Sequence, residues 1–477
     1  MKIKVGTGRI KIEEFAELCG GVLCANFYAE DASFSHICTD SREADADTLF
    51  VVMQGEKVDG HDYMLSASER GCKMFLCQNI PADLIGSGHD FAAITSENSV
   101  TALGCFARAF YEFRKGKTVA VTGSVGKTTT KEMIFSVVSE GFATHKTLAN
   151  HNSIIGMPMS LLAMEDTSEV MVAEMGTGSF GEISFMSQIA CPDIACITNI
   201  GTSHLEAFGS RENICQAKLE IVDGLSETGV LILNGDEPLL SSVHDKTLKT
   251  LYVALENRNA EYRAVNIRYG ENQTVFDIER AGETIQNVEI EAVGQPYVWA
   301  ALFAVAVGEL LNIDIEKIRR GLMRFEKAEM RQNIIEYHGI TIIEDCYNAA
   351  PESMRAAADL LKMMSEKKNG ARMVALLGDM RELGENSREY HQTIGRYFAS
   401  CGTDKLFCVG EFAKDIAVGA IDAGMENHAV SICIDAKEQE KISESVLSFL
   451  EKGDVFLVKA SRAIGAEKIL ELIKQKI

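Results

Sequence analysis

Residues 118–130 read Thr-Val-Ala-Val-Thr-Gly-Ser-Val-Gly-Lys-Thr-Thr-Thr, and no other stretch limits the possible folds as tightly. The β-branched run favours a strand. Gly123 and Gly126 turn it into a tight loop, and a helical pattern follows from Lys131. Strand, glycine loop and helix in that order form the unit whose backbone N–H groups and helix N-terminus cradle phosphate. Gly123, Ser124, Val125, Gly126, Lys127, Thr128 and Thr129 are therefore candidate phosphate contacts. Lys127 is placed to reach the outer phosphates and Thr128 to hold Mg²⁺. The segment predicts binding of a nucleoside triphosphate, ATP before others. The common form of the motif has its first glycine where this chain has Val121, so the loop is the short Gly-x-x-Gly-Lys-Thr variant.

A chain of 477 residues is too long for one core, and two to four domains are expected. The formal net charge of −22 argues against a phosphate-backbone nucleic-acid partner. The 13 cysteines are scattered without a Cys-x-x-Cys pair and read as small buried hydrophobes. No apolar signal core opens the chain, and no run reaches the ~18 apolar residues of a membrane span. The longest candidate, 300–311, carries Glu309. A reducing cytoplasm and a monomeric protein are expected.

Three units follow from the patterning. In residues 1–97, 12–18 read as an amphipathic helix and 48–53 and 73–77 as strands; residues 98–116 read as a helix leading into the phosphate-loop strand. From 98 to 327, short apolar strands at 119–122, 170–174, 194–198 and 230–234 alternate with helices. That alternation predicts an α/β fold with a mostly parallel sheet covered on both faces. Ligands in such sheets bind beyond the carboxyl ends of the strands, where Gly123, Glu174 and Asn199 fall. From 328 to 477, strands at 340–344, 373–377, 405–409 and 455–459 predict a second, smaller α/β domain.

Several residues outside the loop carry candidate chemistry. Glu174, at a strand end, can hold Mg²⁺ beside bound phosphates, since that ion takes few carboxylates plus phosphate oxygens. His204 shares a glycine-containing loop with Asn199 and is a candidate for metal or phosphate contact. Lys218 lies on a helix and by spacing alone reads as a surface lysine. Asp345, at the end of the first strand of the last unit, can bind a ribose, position a nucleophile or be ordinary surface. Arg331, upstream of it, can neutralise phosphate charge or be ordinary surface.

Taken together these segments resemble the Mur ligases over nearly the whole chain. The resemblance rests on Asp-Ser-Arg (40–42), Gly-Glu-Lys-Val-Asp-Gly-His (55–61), the phosphate loop through Lys131 and Asn-Ile-Gly-Thr-Ser-His-Leu-Glu (199–206). Asp-Cys-Tyr-Asn-Ala-Ala-Pro-Glu-Ser-Met (345–354), Gly-Asp-Met-Arg-Glu-Leu-Gly-Glu (378–385) with His391, and Lys-Ala-Ser-Arg (459–462) complete it. It implies a three-domain architecture: an N-terminal UDP-sugar domain, a central P-loop ATPase domain and a C-terminal Rossmann-like domain. It implies an ATP-dependent amide ligase of peptidoglycan precursor synthesis working through an acyl phosphate. The expected substrates are a UDP-MurNAc-peptide and D-alanyl-D-alanine.

Residue by residue, the resemblance places Lys127, Lys218 and His204 in catalysis. Thr128, Glu174, His204 and Lys218 would support Mg²⁺, as two ions, with Lys218 carbamylated. Asn199, Arg331 and Asp345 would contact ATP. Ser41 and Arg42 would bind the UDP-sugar, and Asn348 and Ser353 would line the amine pocket. The chain departs from the family pattern at Pro296, Tyr297 and Ala300, where His, Asn and Asn are usual, and at Ala350, where Asn is usual. Trp299, one residue before the usual adenine-contacting Asn, reads as a core aromatic or a stacking surface. These departures leave open a paralogous ligase with a different acid or amine.

Overall fold

The computed structural model describes residues 1–476 except 7, 30, 56, 57, 113–115, 149 and 244–246. Part of the segment 55–61 and the end of the expected helix 98–116 therefore lie outside the described residues. Among the rest, the chain builds three main sheets in chain order.

The first sheet runs Lys2–Lys4, His36–Cys38, Thr48–Val51, Met74–Cys77, Ala92–Thr95, Val22–Ala25, parallel at its centre and antiparallel at both edges. The expected amphipathic helix is present as Ile12–Cys19 and buries Ile12, Phe15, Ala16 and Cys19. Phe15 stacks at 4.1 Å on Phe106 of the helix Ser99–Glu112, which ties this unit to the next.

The central sheet has nine strands in the order Thr144–Lys146, Val170–Glu174, Lys117–Thr122, Ile194–Ile197, Val230–Asn234, Lys249–Ala254, Tyr262–Tyr269, Thr274–Arg280, Glu283–Ile290. The first seven are parallel, and the last two continue as an antiparallel meander that the strand pattern did not signal. The phosphate-loop strand lies between Val170–Glu174 and Ile194–Ile197, with Val121 in register with Glu174 and Cys196. Every residue of these two neighbours is buried, as continuous apolar runs in a two-sided parallel sheet should be. The helices Lys127–Val138 and Gln295–Leu310 pack together on one face. Of residues 300–311, the longest apolar run, 300–310 fall in that second helix, and 300–308 are buried as core. No helix of the described residues is long and apolar enough to cross a membrane.

The third sheet runs Asn333–Tyr337, Ile340–Asp345, Val455–Lys459, Met373–Gly378, Lys405–Val409, Val430–Cys433, with only the first strand antiparallel. Its helix Pro351–Lys367 starts beside the central unit. None of the 13 cysteines is in a disulfide; most are buried and Cys105 alone is exposed.

Candidate active site

The register of the central sheet decides where the chemistry falls. Because Lys117–Thr122, Val170–Glu174 and Ile194–Ile197 end side by side, the loops at 123–127, 174–178 and 198–204 emerge together. With the third sheet they enclose a cavity of about 570 Å³. Ser124–Thr130, Asn152, Glu174, Asn199 and His204 line the central side, and Arg331, Asp345, Asn348, Ser353 and Lys459 line the other. The expected nucleotide residues other than Gly123 thus line one cavity.

The loop is built by close approach. Gly123 has φ 148°, and a Cβ there would stand 1.9 Å from Thr198 Oγ1. Thr198 Oγ1 in turn donates to Val125 O at 2.7 Å. Asn199 Oδ1 accepts from the N–H groups of Ser124 at 3.1 Å and Val125 at 2.8 Å. It therefore braces the loop while also lining the cavity where the nucleotide contact is expected. Lys127 folds back on its own loop, donating to Gly123 O at 2.7 Å and Ser124 O at 3.3 Å. Burial pulls its ammonium below the ordinary lysine value, with Glu174 opposing and Arg331 reinforcing the shift.

Beside the loop, Thr128 Oγ1 donates to Glu174 Oε1 at 3.1 Å, and Asn152 Nδ2 donates to the same oxygen at 2.8 Å. Among the described residues Glu174 Oε2 is buried without a hydrogen-bond partner. The nearest cation to it is Lys131 Nζ at 3.6 Å, itself held by Glu132 at 3.0 Å and Thr147 O at 3.0 Å. A hydroxyl and a carboxylate in contact, with one carboxylate oxygen unpartnered beside a phosphate cradle, fit a Mg²⁺ site. Among the described residues no three His, Cys, Asp or Glu side chains converge, so any such ion would take most ligands from phosphate and water.

His204 sits in the left-handed region (φ 64°), and its Nδ1 lies 2.5 Å from Glu382 Oε2 of the third unit. That hydrogen bond holds the Glu382 carboxyl below its ordinary value. Lys218 corrects its surface reading: it is 1% exposed, because the helix Arg211–Leu219 turns Ile214, Cys215, Ala217 and Lys218 inward. Burial first, and the Lys127 charge second, hold its ammonium well below the usual lysine range. It does not line the cavity wall.

Across the cavity, Asp345 Oδ2 accepts from Lys459 Nζ at 2.8 Å, a buried pair set by the register Asp345↔Lys459. Lys459 also donates to Asn348 O at 3.1 Å. Lys459 carries no role by sequence; its place at the end of an apolar strand is the one local signal, and its pairing with Asp345 comes from the register of the sheet. Arg331 stacks on Tyr347 at 4.1 Å. The Ser353 hydroxyl caps its own helix, accepting from Ala350 N at 3.0 Å and donating to Ala350 O at 2.9 Å, while the residue lines the cavity. Glu352, its neighbour, accepts from Thr202 N at 3.0 Å and Oγ1 at 3.3 Å. Trp299 is half-buried: it packs on the central core and also lines the cavity, while Ala300 is fully buried. Ser41 and Arg42 lie apart from the cavity, in a turn where Asp40 takes up the Arg42 guanidinium at 2.6 Å.

Fold and site together define a phosphate-loop nucleotide-binding protein whose third α/β unit closes one wall of the nucleotide cavity. Three family descriptions match in order: "Mur ligase family, catalytic domain" at 33–111, "Mur ligase middle domain" at 121–308 and "Mur ligase, glutamate ligase domain" at 324–462. The chain belongs to the Mur ligase family. It is 36% identical over 462 residues to the UDP-N-acetylmuramoyl-tripeptide–D-alanyl-D-alanine ligase of Bacillus subtilis, covering 96% of this chain and 97% of that protein. A MurF structure from Acinetobacter baumannii superposes with TM-score 0.88 at 27% identity, covering 98% of this chain and 99% of that one. A MurF from Thermotoga maritima in complex with ADP superposes with TM-score 0.80 at 27% identity, over 92% and 97%.

Proposed function

We propose that this chain joins D-alanyl-D-alanine to UDP-N-acetylmuramoyl-tripeptide at the expense of ATP, in peptidoglycan precursor synthesis. The observation that carries this reading is the phosphate loop, with Thr128 on Glu174, facing Arg331 and Lys459 across one cavity. The kinship with the Bacillus subtilis ligase along 96% of the chain names the acid and the amine. Residues 1–97 would hold the UDP-sugar, with Ser41 and Arg42; residues 98–327 would hold ATP; residues 328–477 would close over it and admit the amine. The protein would act as a cytoplasmic monomer.

The chemistry needs no enzyme nucleophile. The tripeptide carboxylate takes the γ-phosphoryl group, giving an acyl phosphate and ADP; the amine then attacks that carbonyl and phosphate leaves. Lys127 and Arg331 neutralise phosphate charge, and Asn199, which takes up the Ser124 and Val125 N–H groups itself, holds the loop in shape for its remaining donors. Thr128, Glu174 and His204 would hold Mg²⁺, which supplies further charge neutralisation. Lys218, buried and held toward its neutral amine, is suited to take up CO₂; the resulting carbamate would support a second Mg²⁺. Arg331 and Asp345 would contact ATP, and Asn348 and Ser353 would border the amine pocket. With Ala300 buried, Trp299 and Gln295, which line the cavity beside Pro296 and Tyr297, would border the adenine.

Purified protein given ATP, Mg²⁺, UDP-MurNAc-tripeptide and D-alanyl-D-alanine should release phosphate and form the pentapeptide product by mass. Turnover only with another acid–amine pair would transfer the assignment to a paralogous ligase, a reading that Ala350 and Pro296 favour. Lys127→Ala should abolish phosphate release, and wild-type turnover in it would sink the phosphate-loop assignment.

A further inference from the structure

The block at 378–385 and His391 receives no task from the reaction above, yet the structure builds it with care. Asp379 is fully buried and accepts from Phe412 N at 2.9 Å and Glu411 N at 3.0 Å. His391, also fully buried, accepts from Met380 N at 2.9 Å, pairs its other ring nitrogen with Ser387 O at 2.6 Å and stacks on Phe412 at 4.5 Å. These contacts make a stiff arm from the third unit. Its tip, Glu382, has φ 63° and reaches the central unit twice: Oε2 to His204 Nδ1 at 2.5 Å, and its carbonyl to Glu206 N at 3.1 Å. Glu352 grips the same loop at Thr202, over Gly201, where a Cβ would come within 2.8 Å of the Glu352 carboxyl carbon. The far end of that loop is Asn199, which braces the phosphate loop.

We propose that Glu382 is a positioning residue. By accepting from Nδ1–H it fixes the ring and tautomer of His204, leaving Nε2 with the lone pair for a divalent cation. Imidazole ligands commonly donate their other N–H to a carboxylate, and loss of that partner weakens metal affinity by about 10- to 100-fold. Here the carboxylate comes from a different unit than the histidine. The cation site is therefore complete only when the third unit is docked, so docking is a condition for the charge neutralisation that phosphoryl transfer needs. Glu382 is 57% exposed and does not line the cavity, so it acts through His204 and not on substrate. It acts in this way only if His204 is a cation ligand, as the function proposed above holds.

The test uses the full chain with a non-hydrolysable ATP analogue and Mn²⁺ as the probe, with bound metal read by electron paramagnetic resonance. Glu382→Ala should weaken Mn²⁺ binding about tenfold or more. Glu382→Gln, whose amide oxygen still accepts from Nδ1–H, should stay within about threefold of wild type. In metal-free protein, the ¹⁵N signals of the His204 ring should report a protonated Nδ1, lost in Glu382→Ala and kept in Glu382→Gln. Wild-type Mn²⁺ affinity in Glu382→Ala, with affinity lost in His204→Ala, would overturn the positioning role and leave the ligand assignment standing. Unchanged affinity in His204→Ala would overturn the ligand assignment itself. An equal loss in Glu352→Ala, with the ring signals unmoved, would assign the effect to docking in general and also overturn the role of Glu382.

Discussion

Gly123→Ala tests the close approach on which the phosphate loop depends. The new methyl would stand 1.9 Å from Thr198 Oγ1 and 3.1 Å from Thr198 Cβ and N, at a φ of 148°. Holding a side chain in that backbone region costs about 1–3 kcal/mol. The clash is relieved most cheaply by swinging the Thr198 hydroxyl away from Val125 O, which forfeits a hydrogen bond worth about 1 kcal/mol net. The sum, about 2–4 kcal/mol, falls on the loop conformation that receives phosphate. ATP affinity should drop by about 30-fold to about 1,000-fold, at about 1.4 kcal/mol per decade. Thr198→Ala removes the 1.9 Å contact but not the backbone strain. It also removes the same hydrogen bond to Val125 O, so the double variant should bind ATP about as weakly as Gly123→Ala alone, a coupling of about 1 kcal/mol in the double-mutant cycle. Titration calorimetry of ATP binding across the four proteins measures both parts. ATP affinity in Gly123→Ala within threefold of wild type, or strict additivity in the double variant, would refute the packing argument.

Three further outcomes are expected. Lys459→Met leaves Asp345 buried without its cation and should destabilise the protein by about 3–5 kcal/mol in urea unfolding; adding Asp345→Asn should return much of that loss. Burial holds the His391 imidazole below its ordinary value of 6.5, so below that pH the unfolded chain binds a proton that the folded one refuses. Stability should accordingly be full above pH 6.5 and fall as the pH drops past it, and His391→Gln should flatten that slope in urea midpoints between pH 7.5 and about 5.5. Lys218→Ala should lose ligase activity and regain part of it with added acetate or formate, which stand in for a carbamate; no regain with any short carboxylic acid would count against the modified lysine.

Much of the fold was legible because its strands are short apolar runs and its helices carry their own periodicity. Val170–Glu174, Val230–Asn234, Lys405–Val409 and Val455–Lys459 have the bounds that pattern alone assigns. The meander at Tyr262–Arg280 and Glu283–Ile290 was not legible: its residues alternate with exposed polar side chains on an edge, and nothing local says which sheet they extend. In the site, the phosphate loop, Glu174 and His204 could be read from type and place. Lys218 could not, since a lysine on a short helix looks exposed until its neighbours on the same face are seen to be core.

What the chain determines by itself is therefore the phosphate cradle and the elements that flank it, because glycine conformation, β-branching and helix periodicity act over a few residues. Tertiary structure alone decided the pairings. Asp345 meets Lys459 through the register of two strands 114 residues apart, and that pair turns a candidate ligand into half of a buried ion pair. Glu382 meets His204 because the loops at the carboxyl ends of two different sheets come together. Such contacts depend on the order and packing of strands, and the apolar periodicity that makes each strand carries no record of which strand will lie beside it.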